Sequence, residues 1–471
     1  MTNPAKLMPE GFTWGAATAS YQIEGSVTAD GRGPSIWDTF SATPGAVRHG
    51  DTGAIACDNY QRWESDLDLL TDLGVTGYRF SLAWPRILPE GTGEVNQAGL
   101  DHYRRLVDGL LERNITPAVT LYHWDLPQPL QDKGGWAERL VIDAFARYTE
   151  VVAEALGDRV PLWITLNEPW VSSFVGYGSG RHAPGLTDGP SALLAAHHLL
   201  CAHAAAVPIL RQTSGQVGIT LNLTPTRAAT PDDEEAAVRM DGCHNRWFLD
   251  PLLRGEYPED MLRWYGGSGG LPPAGGVGGG APHKAQFDGV LDGDLEKISA
   301  PLDFLGVNYY TRTWVRTGDD PDARHPLRPS LDAHQIRPDN LPLTQMGWTV
   351  EPDGLEELMV RLKRDYPALP PIYITENGAA FDDYIDPEGG VDDEERIDFL
   401  KGHLLALHNA IEAGVDVRGY FCWSLMDNFE WGEGYARRFG LYFVDYPTQR
   451  RVAKASAGWY SQVIARNGIV L

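Results

Sequence analysis

The chain has 471 residues, 43% of them hydrophobic, with 39 Lys and Arg against 64 Asp and Glu and a formal charge of −25. That apolar content runs along the whole length and can bury a large core, which excludes disorder for any substantial part; the length admits one large barrel or two to three ordinary domains. The acidic excess argues against nucleic acid or an anionic membrane as partner, because a phosphate surface would repel it.

At the N-terminus, residues 1–15 show no apolar run followed by a small-residue cleavage site. No segment reads as the roughly 18 apolar residues of a membrane span, so a cytoplasmic protein is expected. Cys57, Cys201, Cys243 and Cys422 form no CxxC pair and read as buried thiols, not as a zinc ribbon or disulfide framework. Nothing in the sequence sets an oligomeric state.

In chain order, eight short apolar runs stand out: Phe12 to Ala17, Gly77 to Trp84, Thr116 to Trp124, Leu162 to Leu166, Gln216 to Leu223, Asp303 to Tyr310, Pro371 to Thr375 and Val417 to Leu425. Their apolar character is nearly continuous, as in parallel strands covered on both faces. Helical patterns lie between them. From Asp58 onward, Tyr60, Trp63, Leu67 and Leu70 recur on one face, with Asp58 as N-cap and Gly74 as C′ residue. Further helices are predicted over Leu100 to Arg113, Leu140 to Leu156, Leu193 to Leu210, Gly354 to Asp365 and Glu394 to Glu412. Strand and helix thus alternate along the chain, which predicts an α/β fold: one (β/α)8 TIM barrel over residues 1–471, with the active site at the C-terminal ends of the strands.

One segment breaks the pattern. Residues 266–280 hold nine glycines and two prolines and cannot pack a core. They read as a flexible surface insertion, with a lid as the alternative.

The loops at the C-terminal ends of barrel strands converge on the axis, so polar residues at strand ends carry the functional signal. Here they are Arg79 with Trp84, His123 with Trp124 and Asp125, Asn167 with Glu168, Asn222, Asn308 with Tyr310, Glu376 with Asn377, and Trp423; Gln22 and Glu24 precede the first helix. Glu168 and Glu376 each end an apolar run. Two carboxylates aimed at one cavity are the minimum equipment for glycoside hydrolysis, provided that their surroundings push the two pKa values apart. Either Glu alone is weak support, since a carboxylate at a strand end is commonly solvated or capping. The aromatics add to the pair: the C–H face of a pyranose packs on indole, and Trp423 and Trp431 bracket Asn428 and Glu430, whose burial would need a polar partner such as a sugar.

Two other classes compete. A metal-dependent barrel hydrolase would use the same residue types, but no HxH ends a strand, and the adjacent His197 and His198 point to different faces of an apolar helix. A non-enzymatic sugar binder would lose a carboxylate, and neither is lost. Transglycosylation to an acceptor other than water stays open.

The motifs Phe12 to Gly25, Tyr78 to Arg86, His123 to Pro127, Thr165 to Pro169, Asn308 to Tyr310, Ile374 to Gly378 and Trp423 to Trp431 come in the order found in glycoside hydrolase family 1, which the chain resembles. The resemblance implies a retaining β-glucosidase acting by double displacement on β-glucosides and cello-oligosaccharides, with galactoside and fucoside as side activities. It implies Glu376 as nucleophile and Glu168 as acid/base, with Arg79 and Tyr310 holding Glu376 and lowering its pKa. Asn308 would support them or only order its neighbours. It implies Asn167 at the sugar 2-hydroxyl, Gln22, His123 and Glu430 at hydroxyls farther round the ring, Trp423 and Trp431 as walls, and Trp348 and Phe439 on the aglycone side. His123 also has a structural reading, satisfied by backbone. Members acting on 6-phosphorylated sugars depart from the Asn-Phe-Glu-Trp pattern around Glu430, so an unphosphorylated small-molecule β-glycoside is expected as the partner. No cofactor and no metal are expected.

Overall fold

The computed structural model describes residues 5–267, 287, 289–320 and 323–470. In it each of the eight apolar runs contains one strand of a closed barrel: β1 (Thr13–Ala17), β2 (Gly77–Ser81), β3 (Thr116–Tyr122), β4 (Leu162–Asn167), β5 (Gln216–Asn222), β6 (Phe304–Asn308), β7 (Ile372–Asn377) and β8 (Val417–Trp423). Neighbours pair in parallel in sequence order, and β8 pairs with β1 to close the ring. Near-continuous apolarity follows from burial on two sides. Ala118, Leu162, Ile164, Phe304, Tyr373, Phe421 and Trp423 form an inner cluster, while the larger core lies between the strands and the surrounding helices.

Helices Leu140–Leu156 and Glu394–Glu412 fall at the expected bounds, and Asn59–Leu73 ends on Gly74, which takes φ 73° and donates its N–H to the Leu70 and Thr71 carbonyls. The other end corrects the reading. Asp58 sits at the N-cap with φ 51° and makes no side-chain cap; its carboxylate pairs instead with Arg62 at 2.9 Å. Helix Gly189–Leu210 also departs from expectation, being long and apolar enough by composition to cross a membrane. It is mostly buried within the protein, against helix Leu140–Leu156, which explains its apolarity as that of a core helix.

The connections from β5 to β6 and from β6 to β7 hold short strands that alternation in the sequence does not mark. Thr226–Ala228, Thr313–Thr317 and Ala333–Ile336 form a small separate sheet beside the barrel. Of the glycine-rich segment only Gly266 and Gly267 are described, closing helix Glu259–Gly267, and the rest lies outside the described residues.

Candidate active site

Strand ends β2, β4, β6 and β7 bring Arg79, Asn167, Glu168, Asn308 and Glu376 together at the barrel mouth. Arg79 Nη1 donates to Glu376 Oε1 at 2.5 Å, and Arg79 Nη2 donates to Asn167 Oδ1 at 2.7 Å. The Tyr310 hydroxyl donates to the other oxygen of Glu376, Oε2, at 2.6 Å. Asn308 Nδ2 donates to Glu168 Oε1 at 2.5 Å and to Asn167 Oδ1 at 3.1 Å, and its own Oδ1 accepts from Thr375 at 2.7 Å. Glu168 and Glu376 are 5% and 3% exposed, so both carboxyls are taken almost wholly out of water.

Burial lifts the pKa of each, and the two part for a local reason. Glu168 is raised well above the usual carboxylate range, first by burial and then by the charge of Glu376. Glu376 is also raised by burial, but the Arg79 guanidinium and the Tyr310 hydroxyl oppose the rise. The expected lowering of Glu376 is therefore present as an opposing contribution and is outweighed by desolvation. The pair favours one shared negative charge, on Glu376, and one proton, on Glu168.

Two residues owe their place to unusual backbone. Neighbours in a strand point to opposite faces, yet Asn167 and Glu168 both meet Asn308, because Glu168 leaves the extended region at φ 47°. Trp124 does the same at φ 77°, and its indole N–H donates to the Asn167 carbonyl at 2.9 Å. Gly378, just beyond β7, is required by close approach: a Cβ there would lie 1.7 Å from the Trp423 carbonyl oxygen.

Gln22, His123, Trp423, Glu430 and Trp431 form the opposite wall. The His123 ring lies 5.9 Å from both Trp423 and Trp431 in stacked geometry, and its Nε2 accepts from Asn167 Nδ2 at 3.0 Å. That bond assigns the ring proton to Nδ1, a buried donor without a partner among the described residues. Gln22 Nε2 donates to Asn428 Oδ1 and the Phe429 carbonyl, both at 2.9 Å, while Gln22 Oε1 is a buried acceptor without a partner among the described residues. The backbone-satisfied alternative for His123 does not occur. Burial, followed by the charge of Glu376, pushes the Glu430 carboxyl up to about 8. Trp348 packs on Tyr310 and Phe439 at ring distances of 5.3 and 6.2 Å, on the Glu376 side of the mouth.

Several residues read as strand-end polar groups are structural. Trp84 stacks on Tyr148 in the outer core, Glu24 pairs with Arg86 and Tyr103, and Asn377 bonds the Tyr309 carbonyl and the Tyr420 hydroxyl. Asp125 accepts from Ser20. Asn428 is satisfied by Gln22, Ser424 and the Met426 carbonyl, so its burial does not call for a sugar. Trp37 and Trp124 pack behind Trp431 at 4.6 and 4.5 Å; Trp124 was marked by its place at a strand end, whereas Trp37 was not legible as a site residue, since a buried tryptophan carries no such signal.

A parallel barrel whose mouth gathers two buried carboxyls of unequal pKa, with indoles and unpaired polar groups opposite, defines a glycoside-hydrolase site. The family model of Glycosyl hydrolase family 1 matches residues 5–469, and the chain belongs to that family. It is 49% identical to beta-glucosidase A of Thermotoga maritima over 98% of this chain and 99% of that one. It is 47% identical to a bifunctional beta-D-glucosidase/beta-D-fucosidase of Bifidobacterium breve over 98% of each. Among solved structures, the Thermotoga maritima beta-glucosidase in complex with castanospermine superposes with a TM-score of 0.90 at 49% identity, covering 98% of this chain and 99% of that one.

Proposed function

We propose that this enzyme hydrolyses terminal non-reducing β-D-glucosyl residues of β-glucosides and cello-oligosaccharides by double displacement, with Glu376 as nucleophile and Glu168 as acid/base. The observation that carries this reading is the unequal treatment of the two carboxyls. Arg79 and Tyr310 both donate to Glu376, while Glu168 has one amide donor and keeps its proton.

In the first step Glu376 attacks the anomeric carbon and Glu168 protonates the departing oxygen. Covalent capture removes the charge of Glu376, which lowers the pKa of Glu168 and lets it accept a proton from the water that releases the sugar. Retention requires the two carboxyls about 5–5.5 Å apart. One sugar hydroxyl can accept from His123 Nδ1–H and donate to Gln22 Oε1, satisfying both orphaned atoms. Asn167 takes the 2-hydroxyl, Glu430 takes hydroxyls farther round the ring, Trp423 and Trp431 wall the ring, and Trp348 and Phe439 meet the aglycone. Galactoside and fucoside are side activities; the named activities of the Bifidobacterium breve relative support the second. Residues 1–471 act as one catalytic domain. The four free, buried cysteines suit a reducing compartment, the cytoplasm.

Proton NMR of an aryl β-D-glucoside with enzyme in chelator tests this. β-Glucose released ahead of mutarotation supports the mechanism, and α-glucose released first overturns it.

A further inference from the structure

Away from the barrel mouth, the buried helix Gly189–Leu210 carries His197 and Cys201 one turn apart on the same face. Asp294, the first residue of the short helix Asp294–Ile298, faces them. His197 Nε2 lies 3.0 Å from Asp294 Oδ2 and 3.4 Å from Cys201 Sγ, and the three ligand atoms all lie within 4.8 Å of one another. All three residues are buried.

We propose that His197, Cys201 and Asp294 form a binding site for one zinc-like divalent ion, separate from the reaction site. Bonds of about 2.0 Å to N and O and 2.3 Å to S place tetrahedral ligand atoms roughly 3.3–3.5 Å apart, close to the 3.0 and 3.4 Å that separate His197 Nε2 from the other two ligand atoms. Two neighbours already occupy the positions that outer partners of a metal site take. The Tyr257 hydroxyl lies 2.9 Å from His197 Nδ1 and fixes the ring so that Nε2 faces the cluster. Arg139 donates to Asp294 Oδ1 at 3.0 Å and to Oδ2 at 2.9 Å. In the metal-free chain that guanidinium neutralises Asp294. With the ion on Oδ2, Arg139 keeps Oδ1, an arrangement in which a ligating carboxylate is itself hydrogen-bonded.

The protons balance simply. In the metal-free state His197 carries its proton on Nε2 and donates to Asp294, while Nδ1 accepts from Tyr257. On binding, that proton is relocated to Nδ1, which donates to the Tyr257 oxygen, and the Cys201 thiol proton leaves to solvent. One proton is released per ion. A fourth position is left for water.

The consequence is mechanical. The ion would fasten the chain around residues 289–298 to the core helix, where Arg139 also bonds the Gly289 carbonyl and Phe287 packs edge-on against the His197 ring. It would add stability in proportion to occupancy and leave glycosidase turnover unchanged.

The test titrates chelator-treated full-length enzyme with Co²⁺ and Cd²⁺, following thiolate-to-metal charge-transfer absorption, and with Zn²⁺, following Tm. The expected result is one equivalent bound through a thiolate, a Tm that rises with Zn²⁺, and unchanged aryl-glucosidase activity. Cys201→Ala should abolish the charge-transfer band and the Zn²⁺-dependent rise while keeping full activity, which shows that it folds. His197→Gln should weaken Co²⁺ binding at least tenfold. No band in the wild type, a band that survives Cys201→Ala, or an equal Zn²⁺ shift in both proteins would each overturn the proposal.

Discussion

Asn308 pairs in register with Glu376 on the neighbouring strand, yet its amide donates across the mouth to Glu168, 2.5 Å away. A donor on a carboxyl favours its ionised form, so this bond opposes the burial that holds the proton on Glu168, and the Asn308 side chain separately lowers the Glu376 pKa. Asn308→Ala removes a lowering contribution from both groups. Both limbs of the kcat/KM profile should move to higher pH, the alkaline limb by more, and steady-state kinetics across pH reads the shift directly. An alkaline limb that stays in place would remove Asn308 from the tuning of Glu168.

The two carboxyls should fail differently. Glu168→Ala should lower hydrolysis of poorly activated glucosides by roughly 10²–10⁴-fold while sparing capture of a dinitrophenyl glucoside, and azide should restore turnover as β-glucosyl azide. Glu376→Ala with azide should give the α product. Exchange of these outcomes would exchange the roles.

With a pKa of about 8, Glu430 is a neutral acid in the free enzyme at neutral pH, able to donate and accept as an amide can. Glu430→Gln should therefore raise KM modestly at pH 6 and far more at pH 9, with the change centred near pH 8. A pH-independent ratio would show that the carboxyl is ionised throughout.

Burial pushes the Asp125 carboxyl up to about 7 from the usual value near 4, against one hydrogen bond from Ser20. Between those values the folded chain holds a proton that the unfolded chain has lost, so stability falls as pH rises through that window. Asp125→Asn has no such slope. Its Tm relative to wild type should climb from pH 4 to 7 and level off above, and a constant difference would mean that Asp125 is ionised in the fold.

Lys454 Nζ bridges Asp383, beyond β7, and Asp427, beyond β8, at 2.5 and 2.7 Å with no exposure. It ties together the loops that follow Glu376 and precede Glu430. Lys454→Met leaves two buried carboxylates short of a cation and should cost about 3–5 kcal/mol of stability by denaturant unfolding. A loss under about 1 kcal/mol would show that Arg396 and Arg438, which also hold these carboxylates, suffice.

The sequence by itself determined the eight strands and the main helices, because two-sided burial writes unbroken apolar runs and one-sided burial writes a helical stripe. It also located Glu168 and Glu376, since each ends such a run. It was silent where no periodic signal exists. Short strands such as Thr226–Ala228 and Ala333–Ile336 are too brief to alternate, and the left-handed Asp58 looks like an ordinary cap. Which strand-end residues face the mouth was decided only by tertiary structure. Asn377 turns away beside Glu376 by the period of a strand, whereas Asn167 and Glu168 converge because one residue takes φ 47°. The partition of the proton between Glu168 and Glu376 was decided there too. It depends on Arg79, Tyr310 and Asn308, which are remote in sequence from the carboxyls they touch, and electrostatics acts through distance in space, not along the chain.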